Sequence, residues 1–313
     1  RAEKSAGQVA GGAVDLIWIN GENFATMKSE GLLHGPFVAD LPNAKYLDMG
    51  PNAPASVDFT VPVEGLEAPW GIGQLNFMVN GDLVATPPTS AATLLAWVKE
   101  HPGRFTYPKP PQFHGSSFLK QILLELTADP APLYREATDA DFDRLTAPLW
   151  AWLDELHPAL WRKGKLFPAS AAEMHRMLAD GELRLSLTFN PNEAANLISS
   201  RQLPATAYSF GFTGGTIGNV HFVAIPVNAK ARAGAQVVAN FLLSPEAQAH
   251  KADVAVWGDR SVLDLAKLPA ALQATMRKTA PGALAEAVPT LAEPHASWVE
   301  ALEAEWLKRY GAR

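Results

Sequence analysis

Apolar and polar residues along the chain alternate in two rhythms. Val14-Asp15-Leu16-Ile17-Trp18-Ile19 is an apolar, β-branched run that predicts a buried strand. It breaks into the polar turn Asn20-Gly21-Glu22-Asn23, and Ala25 to Leu33 then predicts a helix. Alternation from Gln74 to Asn80 and from Leu183 to Phe189, with strand-like runs at Tyr208–Phe212 and His221–Pro226, predicts four further strands. Helical spacing covers Ala91–Lys99, with Ser90 as N-cap, and Phe118–Leu126. It recurs over Asp139–Leu156, expected to be interrupted at Pro148, and over Ser170–Leu178, ended by Gly181. Another helix opens after Asn190-Pro191-Asn192-Glu193, a long one spans Ala229–Leu243, and the last of three closing segments runs from Leu291 to Tyr310. Asn43–Leu47, Val57–Val63 and Phe105–Tyr107 read as short strands, the first two flanked by prolines that favour sheet edges. Strands alternating with helices predict an α/β architecture.

Composition narrows the function classes. At 313 residues the chain is long enough for two domains or lobes. No apolar run approaches membrane-spanning length. A net charge of −6 without a Lys/Arg cluster argues against a nucleic-acid partner. With no cysteine, disulfides, thiolate zinc sites and a Cys nucleophile are excluded. Nine tryptophans suit a surface that stacks on planar or cationic ligands. No signal peptide is visible in the small, polar stretch Arg1–Gly12, which resembles a helix end and loop.

Three segments carry a family resemblance. Gln74–Lys99, a strand followed by ATPPTSAATLLAWV, resembles the first lobe-crossing segment of ABC-transporter solute-binding proteins. HFVAIPVNAKARAGAQVVANFLLSPEAQ (His221–Gln248) resembles their second crossing, and GELRLSLTFNPNEA (Gly181–Ala194) their second-lobe strand and loop. The order covers nearly the whole chain, and LPNAKYLD (Leu41–Asp48) with the opening stretch most resembles the YnjB-like branch. The resemblance implies an α/β, two-lobed, type II periplasmic binding protein-like fold, its lobes joined by two crossing strands near 74–80 and 219–226. The first lobe is then expected over 1–73 plus 222–268 and the second over 74–221 plus 269–313. It also implies that a strand and helix, and any export signal, belong upstream of Arg1. The expected setting is periplasmic, with a monomeric chain, an inner-membrane ABC permease as partner and no cofactor.

If that fold holds, four loops would line an inter-lobe cleft closing by hinge motion. They are Trp18, Asn20, Glu22 and Asn23; Trp70, Gln74 and Asn76; Phe189, Asn190 and Glu193; and Phe212 with the Gly214–Gly218 turn, including Gly215 and Thr216. Each has a plainer reading. Strand-to-helix turns are common, Trp70 can pack a hinge, and a carboxylate such as Glu193 suits a helix's first turn without any ligand. The glycine run resembles an anion cradle but lacks the Lys-Ser/Thr of a P-loop and precedes a strand, so a crossing turn is the favoured reading. His114-Gly115-Ser116-Ser117 precedes a helix. A serine cap is favoured there, with anion binding by Ser116 and the helix end as the rival.

Catalysis finds little support, since neither G-x-S-x-G nor H-E-x-x-H occurs and the eight histidines are scattered. No metal site is predicted. Two Trp, two Phe and two Glu at the candidate positions suit a small polar or organic-cation ligand, thiamine-like or polyamine-like, held by stacking, cation–π contact and charge neutralisation. Rival readings are an enzyme on the same scaffold and a sensor domain without a competent cleft.

Overall fold

The computed structural model describes residues 9, 11–48, 50, 53–277, 280–285 and 287–311 of the 313. In chain order the first elements are β1 (Ile17–Ile19), α1 (Gly21–Ser29), β2 (Val57–Asp58), β3 (Val61–Pro62), β4 (Glu67–Gln74) and β5 (Asn76–Asn80). Then come α2 (Ala91–Glu100), α3 (Phe113–Leu126), α4 (Asp139–Leu156), α5 (Ala171–Ala179), β6 (Leu185–Thr188), α6 (Glu193–Ser199) and β7 (Ala207–Phe210). The last are β8 (Thr216–Ala224), α7 (Arg232–Leu242), α8 (Pro245–Ala252), α9 (Ala270–Met276), β9 (Thr290–Leu291) and α10 (Ser297–Tyr310). The chain forms two compact units, Arg1–Gly73 with Asn219–Lys278, and Gln74–Gly218 with Thr279–Arg313. The sequence reading divided the chain at 221/222 and 268/269 where the structure divides it at 218/219 and 278/279. The later boundary follows from α9, whose Leu272 and Met276 pack on the first unit's core.

In the first unit, β1 pairs antiparallel with β8, Ile17 opposite Ala224 and Ile19 opposite Phe222, and β4 flanks β8 on its other side. The apolar run Phe222–Ile225 that closes β8 is explained by burial on both faces. Val220, Phe222 and Ala224 join Ile19 and Phe24 in one cluster, while Val223 and Ile225 join Phe37, Leu47 and Leu243 in another. The predicted helix over 229–243 starts at Arg232 and ends at Leu242, because Ser244 caps α8 by accepting from the Ala247 N–H and Pro245 occupies its first turn.

The second unit has β5 at its centre, antiparallel to β6 on one side and β7 on the other. Period-two alternation sends Phe77 and Val79 into the large core and Met78 into a smaller one with Leu178 and Leu197. Pro148 does not break α4. Leu145, Leu149, Trp152, Leu153 and Leu156 bury one helical stripe, and this packing outweighs the lost backbone bond. Three predicted strands take other forms. Pro42–Tyr46 is a 3-10 helix, Phe105–Tyr107 is buried extended chain without a ladder, and Val57–Val63 is the β2–β3 hairpin. The predicted closing helix is split into β9 and α10.

Candidate functional site

In the first unit, the strand-to-helix turn fixes an aromatic shelf. Gly21 opens α1 at φ 56°, where a side chain would be strained and its Cβ would lie 2.6 Å from the Phe59 ring. Its N–H donates to Asp58 Oδ2 at 2.6 Å. Asn20 is spent at both ends, its amide donating to the Val220 carbonyl at 2.6 Å and its Oδ1 accepting from the Trp18 indole at 3.1 Å. Asn20 therefore positions Trp18. Glu22 and Asn23 follow in the first helical turn, with Asn23 donating to Glu22 Oε1 at 3.0 Å.

Trp18 is 54% exposed. It stands edge-on to Trp70, with ring centroids 4.7 Å apart, and lies 5.5 Å from His221 and 6.1 Å from Trp257. Trp70 and Trp257 are 5.2 Å apart, and the Trp70 indole N–H has no hydrogen-bond partner among the described residues. Behind the rings, buried Asp259 takes an ion pair from Lys251 at 2.6 Å and lies 3.5 Å from His221 Nε2. Burial lowers the Lys251 pKa while Asp259 opposes that shift. Gly71 is required here, because a Cβ would lie 2.1 Å from Asp259 Oδ2. Three indoles and an imidazole backed by a carboxylate can take a flat or cationic ligand by stacking and cation–π attraction.

The second unit gathers four predicted residues with two that were not predicted. Phe113 meets Phe189 edge-on at 5.0 Å and adjoins His114 at 5.4 Å. Glu193 accepts from the Asn190 amide at 3.2 Å and lies 3.5 Å from His175 Nδ1. Burial raises the Glu193 pKa, against the Asn190 hydrogen bond. Burial lowers both imidazoles to about 4, with His175 adding to the effect on His114 and the Leu187 carbonyl opposing it on His175. The cluster thus presents neutral rings beside one carboxyl group.

The remaining predicted residues are engaged in packing. Asn76 is fully buried and donates to the carbonyls of Gln74 and Asn190, bracing the Asn190 loop. Gln74 donates to Thr216 Oγ1 at 3.1 Å, and Thr216 is itself buried. Phe212 stacks on Phe77 at 5.0 Å inside the core. The glycine turn does not present amides to an anion, because the N–H groups of Gly215 and Thr216 bond the carbonyls of Phe212 and Pro289. Nor does the serine loop. α3 starts at Phe113, with Gln112 Oε1 accepting the N–H of His114 at 2.8 Å and of Gly115 at 3.3 Å, and Ser116 donates to Glu303 at 2.5 Å. Sequence reasoning missed Phe113, His175, His221, Trp257 and Asp259. The Trp-Gly pairs at 70–71 and 257–258 were the available signal, and the first sets its indole beside a tight approach, Gly71 against Asp259.

The model of the bacterial extracellular solute-binding protein family matches residues 1–279. The chain belongs to that family. It is 54% identical over 311 residues to Protein YnjB of Escherichia coli strain K12, covering 99% of this chain and 79% of that protein. Solved structures share the type II periplasmic binding protein fold at low identity. The Tp0655 (TpPotD) lipoprotein of Treponema pallidum aligns at TM-score 0.67 with 16% identity, covering 100% of this chain and 89% of that one. The periplasmic binding protein AfuA of Actinobacillus pleuropneumoniae, with fructose-6-phosphate bound, aligns at 0.66 with 17% identity, covering 100% and 86%. The spermidine/putrescine substrate-binding protein PotD of Streptococcus pneumoniae aligns at 0.62 with 14% identity, covering 100% and 88%. As a family member the chain is an extracellular solute-binding protein. Among the described residues no helix is long and apolar enough to cross a membrane, and no cluster of three or more His, Asp or Glu could hold a metal ion.

Proposed function

We propose that this protein is the non-catalytic receptor of an ABC importer, acting as a monomer in the periplasm and delivering a small organic cation to an inner-membrane permease. The observation that carries the ligand class is the Trp18–Trp70–Trp257 shelf with Trp18 held open to solvent. Clustered indole faces favour a planar, positively charged heterocycle, which supports a thiamine-like ligand over a flexible polyamine. The polyamine class has its own support in the structural likeness to the spermidine/putrescine substrate-binding protein PotD. In this reading Trp18 and Trp257 stack on the ligand and Asn20 holds Trp18 in place. Phe113, His114 and Glu193 are the second unit's own candidate ligand contacts. Hinge closure belongs to the same proposal, because a receptor signals by favouring one of two states that its ligand binds unequally.

The test is a thermal-shift screen with thiamine, choline, spermidine, putrescine and a hexose phosphate, followed by small-angle scattering with any hit. A cation should raise the Tm and shrink the radius of gyration, and Trp18→Ala should lower its affinity at least about tenfold. Stabilisation by the hexose phosphate alone would overturn the ligand class. No stabilisation by any small molecule in a wider metabolite set would overturn the receptor.

A further inference from the structure

The loop Trp161-Arg162-Lys163-Gly164-Lys165-Leu166, between α4 and α5 in the second unit, serves no feature described above. Its backbone is unusual. Arg162 (φ 52°, ψ 24°) and Lys163 (φ 57°, ψ 34°) adopt left-handed conformations without being glycine, and Gly164 continues them at φ 63°. Consecutive non-glycine residues in that region are costly and persist only where the surroundings enforce them. Here they are enforced from both sides. The Trp161 N–H donates to the Phe105 carbonyl at 2.8 Å, the Lys163 N–H to Leu160 at 2.8 Å, and Gly164 lies so close to His157 that a Cβ would be 2.8 Å from its carbonyl. After the loop, Phe167 is clamped edge-on against Trp306 at 5.1 Å and beside Tyr107 at 5.4 Å.

The enforced turn displays cations and an apolar side chain together. Arg162, Lys163 and Lys165 are exposed, and none of them makes an ion pair among the described residues. Leu166 beside them is 58% exposed. Arg162 lies over the Trp161 ring at 5.2 Å, and that indole donates to Glu182 Oε1 at 2.7 Å. Exposed Arg104 adjoins the same region, donating to the carbonyls of Gly181 and Glu182 at 3.2 Å. Glu182 is an acid facing this group, and one of its carboxylate oxygens accepts the indole N–H. A cationic tip is out of character for a chain of net charge −6.

The geometry points to this loop as a docking surface for anionic phospholipid headgroups. Adjacent Lys/Arg side chains meet the phosphates while Leu166 enters the boundary with the acyl chains and Trp161 lies at headgroup depth. An acidic protein surface would match the charges but gives no role to the exposed leucine. The inference does not depend on the solute reading, since it uses none of the shelf residues.

The experiment is co-sedimentation of the full chain with unilamellar vesicles of phosphatidylcholine alone or mixed with phosphatidylglycerol. Partition onto the mixed vesicles should exceed that onto phosphatidylcholine and fall on raising salt from about 50 to about 300 mM. Lys163→Glu and Lys165→Glu should each lower it about fivefold or more, and Leu166→Ser should lower it at constant charge. Lys230→Glu, an exposed charge reversal on the first unit, should leave it within about twofold, and Tm values establish that the variants are folded. Absence of preference for the mixed vesicles, or equal losses in Lys230→Glu and Lys163→Glu, would overturn the proposal. Retention on a soluble polyanion without vesicle binding would also overturn it, and would assign the loop to an acidic macromolecule instead.

Discussion

The N–H of Gly21 donates to Asp58 Oδ2 at 2.6 Å, tying the start of α1 to the β2–β3 hairpin across 37 residues of sequence. The carboxylate meets the positive end of the helix, and the glycine makes the approach possible. Replacing Gly21 with Ala puts a Cβ into a left-handed position and 2.6 Å from the Phe59 ring. The expected cost is about 2 kcal/mol in urea unfolding. Because Asn20 next door fixes Trp18, the variant's folded-state tryptophan emission should also shift to the red. An unchanged unfolding midpoint would show that the turn is not anchored there.

Gly71 is a second position where absence of a side chain supports the shelf. Alanine there would force Asp259 away from Lys251, its partner at 2.6 Å, leaving buried charge uncompensated. Breaking such a pair costs about 3–5 kcal/mol. Gly71→Ala should therefore lower the unfolding free energy by that order, measured with urea and tryptophan fluorescence.

How far the sequence revealed the molecule depends on the range of the information. The alternation in β5 and a strand at the His221 end of β8 were legible, because strand period and apolar content are local properties. The polar turn after β1 was legible for the same reason. Trp257 was not, since it meets Trp18 from about 240 residues away through a loop with no periodicity. Phe212, at the end of the strand-like run Tyr208–Phe212, was expected to line the cleft beside the glycine turn. Its stacking on Phe77 depends on the β5–β7 pairing, which a single sequence does not display. The α3 cap was misplaced because its acceptor is Gln112, a residue type rarely found in that role.

Glu67 is 1% exposed, and among the described residues neither carboxyl oxygen has a hydrogen-bond partner. It lines a cavity of about 190 Å³ with Val38, Leu47 and Val63. Burial first, then the neighbouring Asp58, pushes its pKa up to about 10, with Lys28 opposing. The folded state thus holds a proton that the unfolded chain releases above pH 4.5. Stability from this group is full below that pH and declines as pH rises toward 10. Glu67→Gln mimics the protonated acid without the penalty. Its Tm should exceed that of the parent, and the gap should widen between pH 5 and pH 9, on the scale of about 1–3 kcal/mol. A constant gap would mean that Glu67 is ionised in the folded protein.

His114 and His175 make the opposite case. Both are depressed to about 4 from 6.5, chiefly by burial, so between those values the unfolded chain binds protons that the folded chain refuses. Stability is complete above pH 6.5 and is lost as pH falls toward 4, with a slope of at most about 2.7 kcal/mol per pH unit for two groups. Glu193, raised by burial and facing His175, pulls the other way. The comparison that separates them is parent against the double variant His114→Gln, His175→Gln, with urea unfolding followed by circular dichroism at pH 7.5, 6 and 5. The parent should lose stability more steeply than the variant on each step down. Parallel pH profiles would show that the two imidazoles are already open to water and protonate without cost to the fold, which would also remove them as neutral walls for a cationic ligand.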